Sequence, residues 1–153
     1  MILQAKIFTV ATTTIAGQTV THAQLSSAVK NFNDSMGGCL VPFARPSLAA
    51  TELDCVVAEA RLRMDGNSVI AKLQILETPY GKIVSQLHES GIKVTVMPVT
   101  TVTQATGKLE LCIRRLVIPE KPHTPIIDSP LRQVQDWVNG ENNWPMFELN
   151  DKY

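Results

Sequence analysis

The chain has 153 residues, of which 44% are apolar, and this is enough to bury one conventional hydrophobic core. Its 14 basic and 14 acidic residues cancel, and no basic stripe is available for a nucleic acid backbone. No apolar stretch approaches the roughly 20 residues that span a bilayer, and the N-terminus lacks the pattern of an export signal. We therefore expect a soluble protein that binds neither nucleic acid nor membrane.

The three cysteines, Cys39, Cys55 and Cys112, lie far apart, and none belongs to a closely spaced pair. A disulfide framework or a zinc site would need paired spacing. The spacing therefore predicts reduced core cysteines, with no metal and no cofactor.

The N-terminal part of the chain predicts two extended segments and a helix. Residues 2–10 have the pattern of a strand, and a second short extended run ends at Val20. Thr21 is a suitable N-cap, and the pair Gly37-Gly38 favours a helix end. The apolar face of this helix consists of Leu25, Val29 and Phe32. Two prolines in residues 42–46 then indicate a loop or a sheet edge.

The clearest local pattern is a β-hairpin. Apolar residues alternate with Glu59, Arg61 and Arg63 over residues 56–64, and Asp65-Gly66 predicts a turn into a second strand at residues 69–76. We expect Ala58, Ala60 and Leu62 to face the core. These are the alternate apolar positions of the first strand.

A second helix and two more strands follow. Thr78-Pro79 predicts a cap and a first turn, Ser90-Gly91 predicts the end, and Ile83, Val84 and Leu87 form the predicted apolar face. Residues 92–102 and 109–118 are rich in β-branched residues and are separated by a turn at Gly107. The succession predicts an α+β domain: a small β-barrel-like antiparallel sheet with flanking helices.

A change in composition at Pro119 predicts a domain at residues 1–118 and a C-terminal arm at residues 119–153. Five of the nine prolines fall in this arm, with a short helix predicted at residues 130–139. The apolar residues of the arm either pack on their own chain or anchor a partner. The candidate partner-binding residues are Leu131, Trp137, Trp144 and Phe147.

Three stretches carry a resemblance to a known family. They are the helix around Leu25 and Ala28-Val29-Lys30, the hairpin with its Gly66-Asn67 turn, and the run from Thr78-Pro79-Tyr80 to Gly91-Ile92-Lys93. Their succession, over about residues 20 to 118, resembles the prohead (capsid maturation) proteases of tailed phages. The resemblance implies the fold that this family shares with the herpesvirus assembly proteases.

The family's enzymes use a serine nucleophile and a histidine that takes its proton. Counted from the Gly66 turn, the histidine position falls at Ala44. Counted from Gly91, the serine pair falls at Met97-Pro98, with Val99 where an arginine is expected. None of these side chains transfers a proton, so the resemblance implies an inactive member, and we expect Ala44 and Met97 to lie close together.

Other polar residues have ordinary structural explanations. His22, His88 and His123 fit structural or solvent-facing roles, Ser26-Ser27 the surface of a helix, and Ser129 a cap. Glu52, Asp54 and Glu59 fit an exposed strand face, and Gly37-Gly38 lacks the lysine of a phosphate loop.

The sequence therefore leads to a non-catalytic structural protein of a phage head, as a decoration or minor capsid protein. It would assemble in the host cytoplasm and reside in the virion, with the major capsid protein, another head protein or a second copy as its partner. An inhibitor or regulator of the prohead protease is the alternative. The third hypothesis, an active protease with a relocated nucleophile, would make the chain an enzyme. The fold alone does not decide among the three hypotheses.

Overall fold

The computed structural model of this chain describes residues 1–10, 14–15, 18–35, 40–42, 55–105, 108–119 and 146–151. These residues form nine strands and two α-helices. In chain order they are β1 (Ile2–Thr9), β2 (Thr14–Ile15), β3 (Gln18–Thr19), α1 (His22–Asp34), β4 (Leu40–Pro42), β5 (Val56–Asp65), β6 (Ser68–Ile75), α2 (Pro79–Glu89), β7 (Thr95–Ala105), β8 (Lys108–Val117) and β9 (Phe147–Glu148).

The first sheet has four antiparallel strands in the order β1-β6-β5-β4. Its centre is the predicted hairpin, in which Asp65 pairs with Ser68 across a two-residue turn at Gly66-Asn67. Gly66 has φ +58°, a conformation that a residue without Cβ adopts at little cost. The hairpin prediction is confirmed, with the turn one residue later than the predicted Asp65-Gly66.

The core faces of these strands follow the predicted alternation. Ala58, Ala60 and Leu62 are buried, as expected, and the alternate residues of the two flanking strands join them. The cluster that they form also takes in residues of both helices and of β7 and β8.

The second sheet has the order β8-β7-β9, again antiparallel. The Val94 carbonyl accepts a hydrogen bond from the Leu149 amide. Because backbone polar groups alternate in direction along a strand, those of Val96 and Pro98 also point toward β9. Pro98 therefore removes no hydrogen bond between β7 and β8. The two predicted strands around Gly107 are confirmed as β7 and β8.

Backbone hydrogen bonds connect the two sheets at both margins. At one margin the Ile118 amide donates to the carbonyl of Pro42 (3.0 Å). At the other, Gln4 and Asn150 exchange hydrogen bonds of 2.6 and 2.9 Å. The sheet thus curls into an antiparallel half-barrel, and with the two helices this confirms the predicted α+β class.

Helix α1 begins with a capping box. The Thr21 hydroxyl accepts from the Gln24 amide (3.2 Å), and the Gln24 side chain accepts from the Thr21 amide (2.8 Å). Leu25, Val29 and Phe32 are buried, as predicted. The helix ends at Asp34, and Gly37-Gly38 lies outside the described residues.

The side chain of Asn33 closes an open edge of the sheet. Strand β5 pairs with β6 up to Asp65, whereas among the described residues β4 pairs with it only from Val56 to Glu59. The Asn33 carboxamide donates to the Leu62 carbonyl (2.8 Å) and accepts from the Leu62 amide (2.9 Å). One side chain thus replaces the backbone pair that a longer β4 would supply.

Helix α2 has the predicted cap but a narrower buried face than predicted. Thr78 accepts from the Gly81 amide (3.0 Å) and donates to the Val56 carbonyl. Val84 is buried and Leu87 half-buried, whereas Ile83 is 43% exposed, so its assignment to the buried face was wrong. The contact with β5 runs through Gly81 and Val84, and Ile83 lies about 100° around the helix from Val84.

The end of α2 also follows the prediction. The amides of Gly91 and Ile92 donate to the carbonyls of His88 and Leu87, and Gly91 has φ +78°. This is the Schellman arrangement, in which glycine takes the left-handed position.

We predict that Asn33→Ala lowers the free energy of unfolding by about 1–3 kcal/mol, because it leaves the Leu62 amide and carbonyl without a partner at a half-buried edge. Urea unfolding measures the change. Asn31→Ala, at an exposed position of the same helix, is the control with the same gain in helix propensity. Equal stability of the two variants would show that the Leu62 contact contributes nothing.

We also predict that Gly81→Ala destabilises the protein by about 1–3 kcal/mol. An added Cβ would collide with the Leu76 carbonyl and come within 2.9 Å of the Val57 carbonyl, and neither backbone group can rotate away. Thermal unfolding compares it with Lys82→Ala, an exposed neighbour in the same turn. An unchanged midpoint would mean that the helix can move off β5 at no cost.

Candidate functional site

The two described residues at the predicted nucleophile position lie within β7. Met97 pairs with Val117 and Pro98 with Leu116, and the Met97 side chain is fully buried. Because Val94 and Val96 point into the core cluster, Met97 and Val99 point to the opposite, outer face of the sheet. Met97 is therefore a buried strand residue on the outer face of the second sheet.

Ala44, at the predicted histidine position, lies outside the described residues. Strand β4, which precedes it, ends at Pro42, whose carbonyl binds Ile118 next to the Met97 partner Val117. The end of β4 is thus two strand spacings from Met97, roughly 10 Å. Proximity of Ala44 and Met97 stays a prediction, and the order β4, β8, β7 is compatible with it.

The described surroundings of Met97 are mainly apolar, and the polar side chains on the same face are Thr95 and half-buried Arg115, which lies opposite Val99. Val99 and Val117 lie beside it on the same face. Thr100, on the core side, is 2% exposed, and its Oγ1 has no hydrogen-bond partner in the described structure. A hydroxyl without a base beside it is a weak nucleophile.

The two described histidines lie on the helices and not on the strands around this position. His22 is exposed at the first residue of α1, and His88 is half-buried in the last turn of α2. Neither side chain has a hydrogen bond to another described residue. His123 lies outside the described residues.

The remaining sequence candidates give no assembled site. Ser26 and Ser27 are exposed on α1, and Glu59 is exposed and 3.5 Å from Arg61. Cys55 and Cys112 are free thiols, the former buried. Cys39, Glu52, Asp54 and Ser129 lie outside the described residues. In the part of the chain that the structure describes, no group of His, Cys, Asp or Glu could hold a metal ion.

Of the candidate partner-binding residues, only Phe147 is described; Leu131, Trp137 and Trp144 are not. Phe147 is half-buried and pairs with Val96 in the second sheet. Its ring meets the ring of Phe8 edge to face, with centroids 6.4 Å apart. The described end of the predicted arm is therefore a strand of the sheet, and any partner contact of Phe147 would use its exposed part.

The sequence pattern alone did not single out the outer face of β7 and β8. Thr95, Met97, Val99 and Val117 are all buried there, although they oppose the core cluster. A signal was present, because β7 has no charged residue from Thr95 to Ala105. A strand without charged residues is easier to bury on both faces, because burying an unpaired charge is costly.

Comparison of this chain with protein-family models, with curated proteins and with solved structures gives no match in any of the three. Among the described helices, none is long and apolar enough to cross a membrane.

We predict that the contact between Phe8 and Phe147 couples β9 to β1. A double-mutant cycle with Phe8→Leu and Phe147→Leu should give a coupling energy of about 0.5–1.5 kcal/mol, measured by urea unfolding. The control cycle combines Phe147→Leu with Ile83→Ala on the exposed side of α2, where we expect additive effects. Additivity in both cycles would mean that the ring contact does not anchor β9.

Proposed function

We propose that this chain is a non-catalytic structural protein of a tailed-phage head, a decoration or minor capsid protein built on a prohead-protease-like fold. The observation that supports the proposal most directly is the environment of Met97. The residue at the family's nucleophile position is a thioether, fully buried, with Val99 and Val117 beside it. Reviving catalysis there would require opening the sheet face as well as changing a side chain.

A structural protein acts through surface complementarity, and the first sheet offers a suitable exposed face. Its outer side presents the exposed basic residues Lys6, Arg61, Arg63 and Lys72. The exposed acidic residues Glu59 and Asp65 share the alternate positions of β5, and Glu59 lies 3.5 Å from Arg61. Arg61 lies directly opposite Lys72, and like charges in this position destabilise a strand pair. Their retention on one face of a chain with zero net charge favours contact with an acidic surface of a head protein.

The arm remains the second candidate contact, through Leu131, Trp137 and Trp144. Large aromatic residues are enriched where proteins bind one another. The two candidate contacts differ in their expected salt dependence, because only the charged face would weaken strongly as ionic strength rises.

We expect the protein to be present in purified virions at a fixed ratio to the major capsid protein, as measured by quantitative mass spectrometry. Absence from virions together with co-purification with an intact prohead protease would favour the regulator instead. Labelling of the purified protein by a serine-directed probe would contradict both the structural role and the regulator, and would favour an active protease.

Charge reversal tests the binding face. The variant Arg61→Glu/Lys72→Glu should lower association with purified heads at least several-fold at low salt, in a co-sedimentation assay. Lys30→Glu, at an exposed position of α1, is the matched control and should leave association unchanged. If Trp137→Ala or Trp144→Ala lowers association and the charge reversal does not, the contact belongs to the arm.

A further inference from the structure

Helix α2 carries an apolar stripe that is partly exposed. Ile83 is 43% exposed, and Leu87, one turn later on the same face, is half-buried. Ile92 is 52% exposed and its amide binds the Leu87 carbonyl, and a side chain at this position commonly packs on the last helical turn. We call Ile83, Leu87 and Ile92 the α2 ridge. Covering the ridge removes apolar surface from water and is favourable.

Two charged residues beside the ridge lie at unfavourable ends of the helix. Exposed Lys82 is near the N-terminal end of α2, and exposed Glu89 is its last residue. A helix has partial positive charge at its N-terminal end and partial negative charge at its C-terminal end, so each residue lies at the end of its own sign. The two lie about 10 Å apart along one side of the helix, and neither forms a salt bridge with another described residue. Each would therefore gain from an opposite charge on a partner.

These two charges are complementary to a second copy of the same helix. A purely acidic or purely basic partner surface would attract one of them and repel the other. Two α2 helices that pair antiparallel across a two-fold axis instead bring the same flank of each helix together with the ends reversed. When Ile83 lies opposite Leu87 of the second copy, Lys82 is within one residue, about 1.5 Å along the axis, of Glu89 of that copy. Each lysine then also lies near the negative end of the other helix.

We propose that the α2 ridge, with Lys82 and Glu89 beside it, is the interface through which two copies of this chain form an antiparallel, two-fold symmetric dimer. The pairing covers the apolar ridge and places each charge opposite its complement in one arrangement. This proposal does not depend on the function proposed above.

Sedimentation equilibrium of the full-length protein measures the dissociation constant of this dimer. We expect Lys82→Glu and Glu89→Lys each to raise the constant several-fold, because each places like charges opposite each other. The double variant Lys82→Glu/Glu89→Lys should restore it, since the charges are only exchanged. Lys30→Glu, at an exposed position of α1, is the control and should leave the constant unchanged. Both α2 substitutions favour the helix dipole, so unfolding of α2 does not explain a loss of association.

An equimolar mixture of the two single variants tests whether the charges meet between copies. In a mixed dimer every charge of α2 again faces its opposite, so the mixture should associate more tightly than either variant alone. An effect of the substitutions within one chain cannot produce this gain. If mixing gives no gain and the double variant shows no rescue, the proposal is wrong.

The variant Ile83→Asp tests the ridge itself and should abolish the dimer. Ile2→Asp replaces an isoleucine of nearly equal exposure, 42%, on β1, and should leave dimer formation unchanged. Circular dichroism checks that both variants are folded, and if Ile83→Asp is not, the charge exchange decides. A wild-type protein that stays monomeric at every soluble concentration overturns the proposal, and so does a dimer that folded Ile83→Asp leaves intact.

Discussion

Backbone polar groups at the margins of the two sheets impose the constraint on which this fold depends. A curled sheet leaves unpaired amides and carbonyls wherever neighbouring strands differ in length, and each buried unpaired group costs about 1–3 kcal/mol. The chain satisfies them at three places, twice with backbone groups and once with a side chain. Ile118 binds Pro42 at one margin, Asn150 pairs with Gln4 at the other, and the Asn33 carboxamide completes the edge of β5 beside Leu62.

These connections explain why a segment distant in sequence belongs to the fold. Strand β9 is only two residues long, yet it lies between β7 and the neighbourhood of β1, and Leu149 is buried beside it. The exposed ion pair between Lys93 and Glu148, at 3.5 Å, adds little by itself. The main contribution of β9 is to satisfy the backbone of two strands that would otherwise be open edges.

The two sheets differ in the chemistry of their outer faces, and this difference bears on function. The β1-β6-β5 face keeps its charged residues exposed, and Arg61 lies 3.5 Å from Glu59 there. The β7-β8 face buries Met97 and Val99 and has no charged residue along β7. The position that the resemblance assigns to a nucleophile is thus a buried methionine. This arrangement is compatible with a scaffold whose binding face lies elsewhere.

The amino-acid sequence by itself determined the local elements, because their signals act over a few residues. Thr21 and Gln24 cap α1, Gly66 permits the tight turn of the hairpin, and Thr78, Pro79 and Gly91 delimit α2. The alternation in β5 also correctly predicted which of its side chains face the core. Ile83 was misplaced because its exposure depends on the close approach of Gly81 to β5, which no local pattern encodes.

Only the tertiary structure decided which distant segments meet. The contact of Asn33 with Leu62 and the pairing of Phe147 with Val96 both join residues far apart in the chain. A pattern of apolar spacing shows that a face will be buried but not what buries it, since many partners bury the same apolar area equally well. Backbone hydrogen bonds are directional, so they select one strand pairing among these alternatives once the strands lie side by side.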